Sequence, residues 1–319
     1  MKKTIAILVV CLFSIALLAG CGGATTQAPA DKKFINIATG GTAGTYYPLG
    51  GAIAEILNKN IPGMNASAQS TGASVANINM LKDGKVDIAF VQNDITFYAA
   101  NGTEMFKDKK VANLVGLATL YPETIQIITL DKTGIKTIAD LKGKRVAVGA
   151  AGSGTEANAR QILEAYGITY QDIKAQYLSF GEAASGLKDG NVDAAFVTAG
   201  FPTAAIQDIA AQNQVVLLAV EADKADGLIS KYPFYTKLKI PAGTYPNQNT
   251  DIAAVAVMAM LVATDKLDAD MGYKVTKAIY TNLDRIKASH SVGKQITKEG
   301  ARSGMPISLN VGAEKFFKE

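Results

Sequence analysis

Residues that supply nucleophiles and metal ligands are rare in this sequence. Of its 319 residues, two are cysteines, Cys11 and Cys21, and one is a histidine, His290. Because residues 22–319 contain no cysteine, they exclude a disulfide framework, a thiol nucleophile and a cysteine metal site. His290 lies in a polar segment, where we expect a surface or structural role, and no residue spacing indicates a metal site.

Tryptophan is absent, arginine is scarce, and neither sign of charge dominates. The formal net charge is +4, and removing Lys2 and Lys3 from the 32 basic residues leaves 30 against 28 acidic ones. This balance gives no argument for a nucleic-acid partner. The apolar run at residues 252–264 is shorter than a membrane span and predicts a buried element.

The first 33 residues have the pattern of an export signal. Residues 1–3 form a basic n-region, residues 4–17 an apolar h-region, and LAGC at residues 18–21 resembles a bacterial lipobox. We therefore expect a lipoprotein signal peptide at 1–20, a lipid on Cys21, and a flexible tether over residues 21–33. The pattern predicts an extracytoplasmic protein held at the membrane by its lipid. The alternative is an uncleaved anchor helix.

A loop rich in glycine and threonine, TGGTAGTYYPLGG at residues 39–51, separates an expected strand at 34–38 from an expected helix at 52–57. Such a loop exposes backbone N–H groups at the helix start, which bind anions or polar ligand heads without a cationic side chain. The alternative is a turn that merely needs glycine. The candidate ligand contacts are Gly41, Thr42, Gly44, Thr45 and Tyr46, with Tyr47 as a wall.

The chain contains an internal repeat. LKDGKVDIAFV at residues 81–91 recurs as LKDGNVDAAFV at residues 187–197, with nine of eleven pairs identical at an offset of 106. TAGT at 42–45 is matched by GSGT at 152–155, and STG at 70–72 by SFG at 179–181. Strand and helix patterns alternate in both units, which predicts an α/β fold with parallel sheets. We expect two similar lobes; the alternative is chance similarity.

Ligands of open α/β sheets bind outside the carboxyl ends of the strands. We therefore expect three loops from each unit around one cleft that closes by a hinge motion. In the second loop, Ser70, Thr71 and Ser74 cap the following helix, reach the solute, or do both. After the next strand, Gln92 and Asp94 are candidates, and Asp94 either pairs with a substrate ammonium or caps a helix.

The second unit supplies the remaining candidates. Thr198 and Gly200 correspond to Gln92 and Asp94, and Pro202 lies in the same loop. The second glycine loop contributes Gly152, Ser153, Gly154 and Thr155, which we expect to bind a carboxylate through helix-start N–H groups.

Two other interpretations of this second loop are weaker. The loop matches the dinucleotide pattern G-x-G-x-x-[GA], with Asp172 about 20 residues further on, but the pattern is short and absent from the first unit. Ser153 is not in a G-x-S-x-G elbow, because its flanking positions are alanine and threonine. We expect Arg145 and Arg160 to lie away from the cleft, so an arginine clamp on a carboxylate is not predicted.

Several segments resemble the TAXI branch of TRAP transporter solute receptors. They are residues 39–50, 87–94, 149–155, 240–245 and 312–319, in the expected order along the mature chain. The resemblance implies a type II periplasmic-binding-protein fold and delivery of a small organic acid or amino acid to TRAP membrane permease subunits. One departure is SLNV at residues 308–311, where the family often has a His-Pro pair.

These observations together predict a solute receptor without a cofactor and without enzyme activity. We expect lobe I at 34–120 plus 250–319 and lobe II at 121–249. Glutamate or a related amino acid is the expected solute, because Asp94 could meet an ammonium; a 2-oxo or dicarboxylic acid is the alternative solute. The alternatives are a sensory lipoprotein with the same fold and an exported α/β enzyme.

Overall fold

The computed structural model of the protein describes residues 33–319. The predicted signal peptide, the lipid on Cys21 and the tether before Lys33 lie outside the described residues. None of the helices between residues 33 and 319 combines the length and the apolar character that a membrane crossing requires.

Within residues 33–319, ten strands form one mixed sheet. In chain order they are β1 (Lys33–Ala38), β2 (Met64–Gln69), β3 (Ile88–Gln92), β4 (Leu114–Leu130), β5 (Arg145–Ala147), β6 (Lys174–Gln176), β7 (Ala194–Ala199), β8 (Val215–Leu218), β9 (Thr236–Ile240) and β10 (Ile252–Thr264). Along the sheet the order is β2-β1-β3-β10-β4-β7-β5-β6, with β8 beside β4 and β9 beside β10.

The two ends of this sheet are parallel, and its centre is antiparallel. β1 pairs in parallel with β2 and β3, and β5 pairs in parallel with β6 and β7. The long strands β4 and β10 run antiparallel to each other, and each also pairs antiparallel with one parallel unit. Each lobe of this α/β fold thus contains one parallel unit, and the strands β4 and β10 join the two units.

In the part of the chain that the structure describes, ten α-helices cover the faces of the sheet. They are α1 (Tyr46–Asn60), α2 (Ser74–Lys82), α3 (Asn93–Asn101), α4 (Gly154–Ala165), α5 (Phe180–Lys188), α6 (Ala204–Ala210), α7 (Ala222–Lys231), α8 (Ala269–Tyr280), α9 (Leu283–Ser289) and α10 (Val311–Lys318). Several begin at a side-chain cap: the Ser179 hydroxyl accepts from the Glu182 N–H, and the Asp268 carboxylate accepts from the Met271 N–H.

The repeated motif has the same structural role in both units. Asp87 and Asp193 each precede a buried strand and accept a hydrogen bond from the backbone N–H of the neighbouring strand, at Asn36 and Arg145, both at 2.8 Å. The glycine of each motif has a positive φ, +68° at Gly84, which favours glycine at the turn after the helix.

The apolar core lies in layers on both faces of each half of the sheet. In β3, Ile88 and Phe90 pack into one layer while Ala89 and Val91 pack into the opposite one. The strand β7 divides in the same way between two further layers. Because both faces are buried, these strands are continuous apolar runs.

The strand β4 differs from the prediction. The apolar runs at residues 111–120 and 124–130 predict two separate strands, whereas the structure has one strand of 17 residues that contains Pro122. Between the pairs Met258–Pro122 and Met260–Thr119, β4 has one more residue than β10, which makes a bulge. The proline is tolerated because the ladder is already irregular there. The predicted lobe boundary between residues 120 and 121 falls inside this strand.

Candidate functional site

A cavity of about 60 Å³ lies where the carboxyl ends of the parallel strands from both lobes meet. One water needs about 10–15 Å³, so the cavity has room for about four to six waters and hence for a small solute. The lining residues come from the segments after β1, β2, β5 and β6, from the carboxyl ends of β3 and β7, and from β4: Gly40, Gly41, Gly44, Thr45, Tyr46, Thr71, Gly72, Ala73, Ser74, Gln92, Glu123, Ala150, Ser153, Gly154, Thr155, Ser179, Phe180, Thr198 and Ala199.

Backbone hydrogen bonds join the loops of the two lobes at this cavity. The Ala76 N–H at the start of α2 donates to the Gly152 carbonyl at 3.0 Å. The Ala205 N–H of α6 donates to the Ala43 carbonyl in the first glycine loop at 3.2 Å. The loop after β1 therefore faces the start of α6, and the loop after β5 faces the start of α2. Both glycine loops line the same cavity.

Four helices point their N-termini at the cavity. Tyr46, Ser74, Gly154 and Phe180 are the first residues of α1, α2, α4 and α5, and all four line it. The first N–H groups of a helix lack intrahelical partners, and each helix start carries about half a positive charge. No lysine, arginine or histidine is among the lining residues. The cavity therefore attracts negative charge through backbone dipoles.

Of the eighteen predicted ligand contacts, eleven line the cavity: Gly41, Gly44, Thr45, Tyr46, Thr71, Ser74, Gln92, Ser153, Gly154, Thr155 and Thr198. Seven do not: Thr42, Tyr47, Ser70, Asp94, Gly152, Gly200 and Pro202. Tyr47 points partly to solvent and is 38% exposed. The Ser70 hydroxyl donates to the Gly40 carbonyl at 3.1 Å, so it closes the loop.

Asp94 is buried behind the cavity wall, with its side chain inaccessible to solvent. Its carboxyl accepts hydrogen bonds from the Ile95 N–H at 2.8 Å and from Asn158 Nδ2 at 3.0 Å. Burial raises the pKa of Asp94 to about 7. The expectation that Asp94 meets a solute ammonium therefore has no support in the geometry, and the argument for glutamate that depended on it fails.

Asn158 of α4 connects Asp94 to the cavity wall. Its Oδ1 accepts from Gln92 Nε2 at 3.1 Å and from the Thr198 hydroxyl at 3.2 Å. Its Nδ2 donates to Asp94 and to the Tyr235 hydroxyl, the latter at 2.8 Å. All the hydrogen-bonding capacity of this buried amide is used. Asn158 thus fixes two cavity side chains that come from different lobes.

Replacing Asn158 by leucine should lower the free energy of unfolding by about 3 kcal/mol, because it leaves several buried polar partners unsatisfied. Chemical denaturation with a two-state fit measures the change. The control is Asn65→Leu, at an exposed position in β2, which should stay within about 0.5 kcal/mol of the parent. Equal stability of the two variants would mean that the network contributes nothing.

Glu123 of β4 is the one charged residue among the eight cavity-lining residues that the sequence analysis missed. It lines the cavity and is 2% exposed. Its Oε2 accepts a hydrogen bond from the Tyr46 hydroxyl at 2.6 Å. Burial raises the pKa of Glu123 to about 8. The sequence did carry a signal: Glu123 is the one charged residue within an otherwise uncharged stretch at 114–130.

The arginines near the site are bound elsewhere. Arg145 forms a forked pair with Asp193, through Nε at 3.0 Å and Nη2 at 2.5 Å. Arg160 pairs with Glu104 at 3.3 Å. Asp172, the acid of the dinucleotide pattern, accepts from the Thr169 N–H and hydroxyl instead. None of these three arginine and aspartate side chains, Arg145, Arg160 and Asp172, lines the cavity, and neither do their partners.

The sequence matches a family model and a protein of known name. A family model described as the NMT1-like family matches residues 37–319. A protein of Escherichia coli named as an aliphatic sulfonates-binding protein is 28% identical over 141 residues, which are 44% of this chain and 42% of that protein. The match therefore spans less than half of that relative.

Two solved structures have the same architecture. The periplasmic aliphatic sulphonate binding protein of Escherichia coli has a TM-score of 0.50 at 19% identity, covering 90% of this chain and 83% of its own. A Listeria monocytogenes protein named as an L-cystine ABC transporter has a TM-score of 0.51 at 18% identity, covering 84% and 99%. These likenesses confirm the predicted type II periplasmic-binding-protein fold.

Proposed function

The chain belongs to the NMT1-like family, and we propose from this premise that it is an extracytoplasmic solute receptor that delivers a small solute to a membrane permease. The predicted membership of the TAXI branch of TRAP receptors is wrong: the family model that matches is NMT1-like, and the curated relative is a sulfonates-binding protein. An ABC-type permease is the partner that the Listeria monocytogenes structure favours, since that protein is named as an ABC transporter.

The observation that carries the proposal is the convergence of four helix N-termini on one cavity at the junction of the lobes. Helix starts supply donors and a positive potential that suit an oxoanion. Sulfonate and carboxylate groups, which the named ligands of the two similar proteins carry, are oxoanions. We propose that a sulfonate, phosphonate or carboxylate head lies against the start of α4.

The donors for this head come from the second glycine loop. The Ser153 hydroxyl accepts from the Glu156 N–H at 3.1 Å and so caps α4, which leaves the N–H groups of Gly154 and Thr155 without an intrahelical acceptor. At Gly149, φ is +105°, and a Cβ there would lie 2.8 Å from the Ser153 hydroxyl oxygen. Glycine at this position allows the loop to fold back onto the helix start.

A thermal-shift screen of the purified protein tests the proposal. Small sulfonates, phosphonates, carboxylates and amino acids are added at rising concentration. We expect at least one class to raise the Tm steadily with the logarithm of its concentration, since a ligand at 100 times its Kd stabilises by about 2.7 kcal/mol. If no class shifts the Tm at millimolar concentration, the receptor function is contradicted.

A further inference from the structure

Glu123 is a buried acid in the cavity wall without a cationic partner. Its Oε2 accepts from the Tyr46 hydroxyl, and its Oε1 takes part in no hydrogen bond within residues 33–319. The titratable groups that act on it are Tyr46 on α1, Tyr121 on its own strand and Asp94 on α3. All three are neutral or acidic, so none supplies the positive charge that a carboxylate needs.

Burial of an unpaired carboxylate costs several kcal/mol, so such a group keeps its proton until a cation arrives. A purely structural acid would have both of its carboxyl oxygens paired or hydrogen-bonded within the protein, whereas Glu123 has only Oε2 bonded. Glu123 instead presents its unused oxygen at a cavity where a ligand is expected. This makes the ligand the natural source of the missing positive charge.

A second group on the same cavity also lacks a hydrogen-bond donor. The Oε1 atom of Gln92 is buried without a partner, and the side chain is 2% exposed. Its orientation is set by Asn158, whose Oδ1 accepts from Gln92 Nε2. Reversing the Gln92 amide would place two oxygens against each other, because Asn158 Nδ2 already faces Asp94. Gln92 therefore contributes an acceptor.

The cavity lining thus offers both hydrogen-bond donors and hydrogen-bond acceptors. Helix-start N–H groups of α2, α4 and α5 are donors, whereas Glu123 and Gln92 offer acceptor oxygens. Resting on the oxoanion receptor proposed above, we propose that the solute is a zwitterion, an aminosulfonate, aminophosphonate or amino acid, whose ammonium group is received by the Glu123 carboxylate.

Binding would then release a proton. In the absence of solute the Glu123 carboxyl is protonated at pH 7. When an ammonium group arrives, the O–H bond of Glu123 breaks, the proton passes to solvent, and the carboxylate pairs with the intact ammonium. One proton leaves for each solute bound, and no other reactant is required.

The experiment compares matched solutes that differ only in the amine: taurine with ethanesulfonate, 2-aminoethylphosphonate with ethylphosphonate, and alanine with propionate. Isothermal titration calorimetry at pH 7, in two buffers of different ionisation enthalpy, gives both the affinity and the number of protons released. We expect one amine-bearing solute to bind at least about tenfold more tightly than its partner, as charge-assisted hydrogen bonds are the stronger ones. Proton release should approach one.

The variant Glu123→Gln keeps the shape but cannot become charged, so both the amine preference and the proton release should vanish. Glu104→Gln, on a carboxylate that pairs with Arg160 outside the cavity, should leave both unchanged. If Glu123→Gln does not fold, the proton count of the parent protein still decides the matter.

The outcomes separate the two proposals. Equal binding of a solute and its amine-free partner without proton release would overturn the zwitterion proposal and leave the oxoanion receptor standing. Proton uptake at pH 9 on binding an amine-free acid would also overturn it, since a protonated Glu123 would then donate to the anion. Binding by no member of either series contradicts the receptor function itself.

Discussion

Replacing Gly154 by alanine is expected to weaken solute binding by about a hundredfold or more while the protein still folds. A Cβ at this position would lie 1.8 Å from Gln92 Oε1 and 2.5 Å from its Cδ. The Gln92 side chain must then leave Asn158 and move into the cavity. The change removes both the space and the acceptor that the solute uses, and a hundredfold change in Kd corresponds to about 2.7 kcal/mol.

Gly181→Ala is the matched control for this variant. Gly181 is the second residue of α5, whose N-terminus also faces the cavity, but its added Cβ would meet Ala43 Cβ at an ordinary 3.8 Å. We expect this variant to keep its affinity within about threefold. Titration of each variant with the best solute from the thermal-shift screen makes the comparison, and unchanged affinity in Gly154→Ala would show that α4 does not start at the binding site.

Raising the pH from 5 to 8 is expected to destabilise the protein in the absence of solute by about 3 kcal/mol for each of its two buried acids. Burial raises the pKa of Asp94 from 3.8 to about 7 and that of Glu123 from 4.5 to about 8. Between these limits the folded protein holds more protons than the unfolded chain. Stability therefore falls as the pH rises through the folded pKa values.

Denaturation curves at half-unit pH intervals measure this slope. The range above pH 5 avoids the surface carboxyls with lowered pKa values, among them Asp193 beside Arg145, whose contribution is lost only at lower pH. Asp94→Asn and Glu123→Gln should each remove about half of the slope. A flat profile in the parent protein would show that neither acid is held neutral by the fold.

The parallel units were predictable from the sequence because their signals are local. The motif at residues 81–91 shows a helix end, a glycine turn and a strand buried on both faces, and each of these depends on neighbours in the chain. The glycine loops were recognisable for the same reason. Their position at strand ends was enough to place eleven candidate contacts at the cavity wall.

The two buried acids were not predictable in this way. Asp94 lies two residues after the end of a strand, as a ligand-binding acid would. Its position in the first turn of α3, however, directs its carboxyl group to Asn158, which is 64 residues away in the chain. Glu123 lies beside Pro122, and proline usually ends a strand. The sequence pattern therefore predicts a break between two strands at this point. Only long-range pairing with β10 shows that the strand continues.

The bulge in β4 lies next to Glu123, a residue of the cavity lining. Its extra residue lies opposite Met258–Met260, and the Met258 N–H donates to the Asn93 side chain at 3.0 Å rather than across the ladder. A strand pair bends most readily where its ladder is interrupted. Glu123 is adjacent to this bulge, so a solute whose ammonium group pairs with the Glu123 carboxylate would contact β4 where its pairing with β10 is irregular.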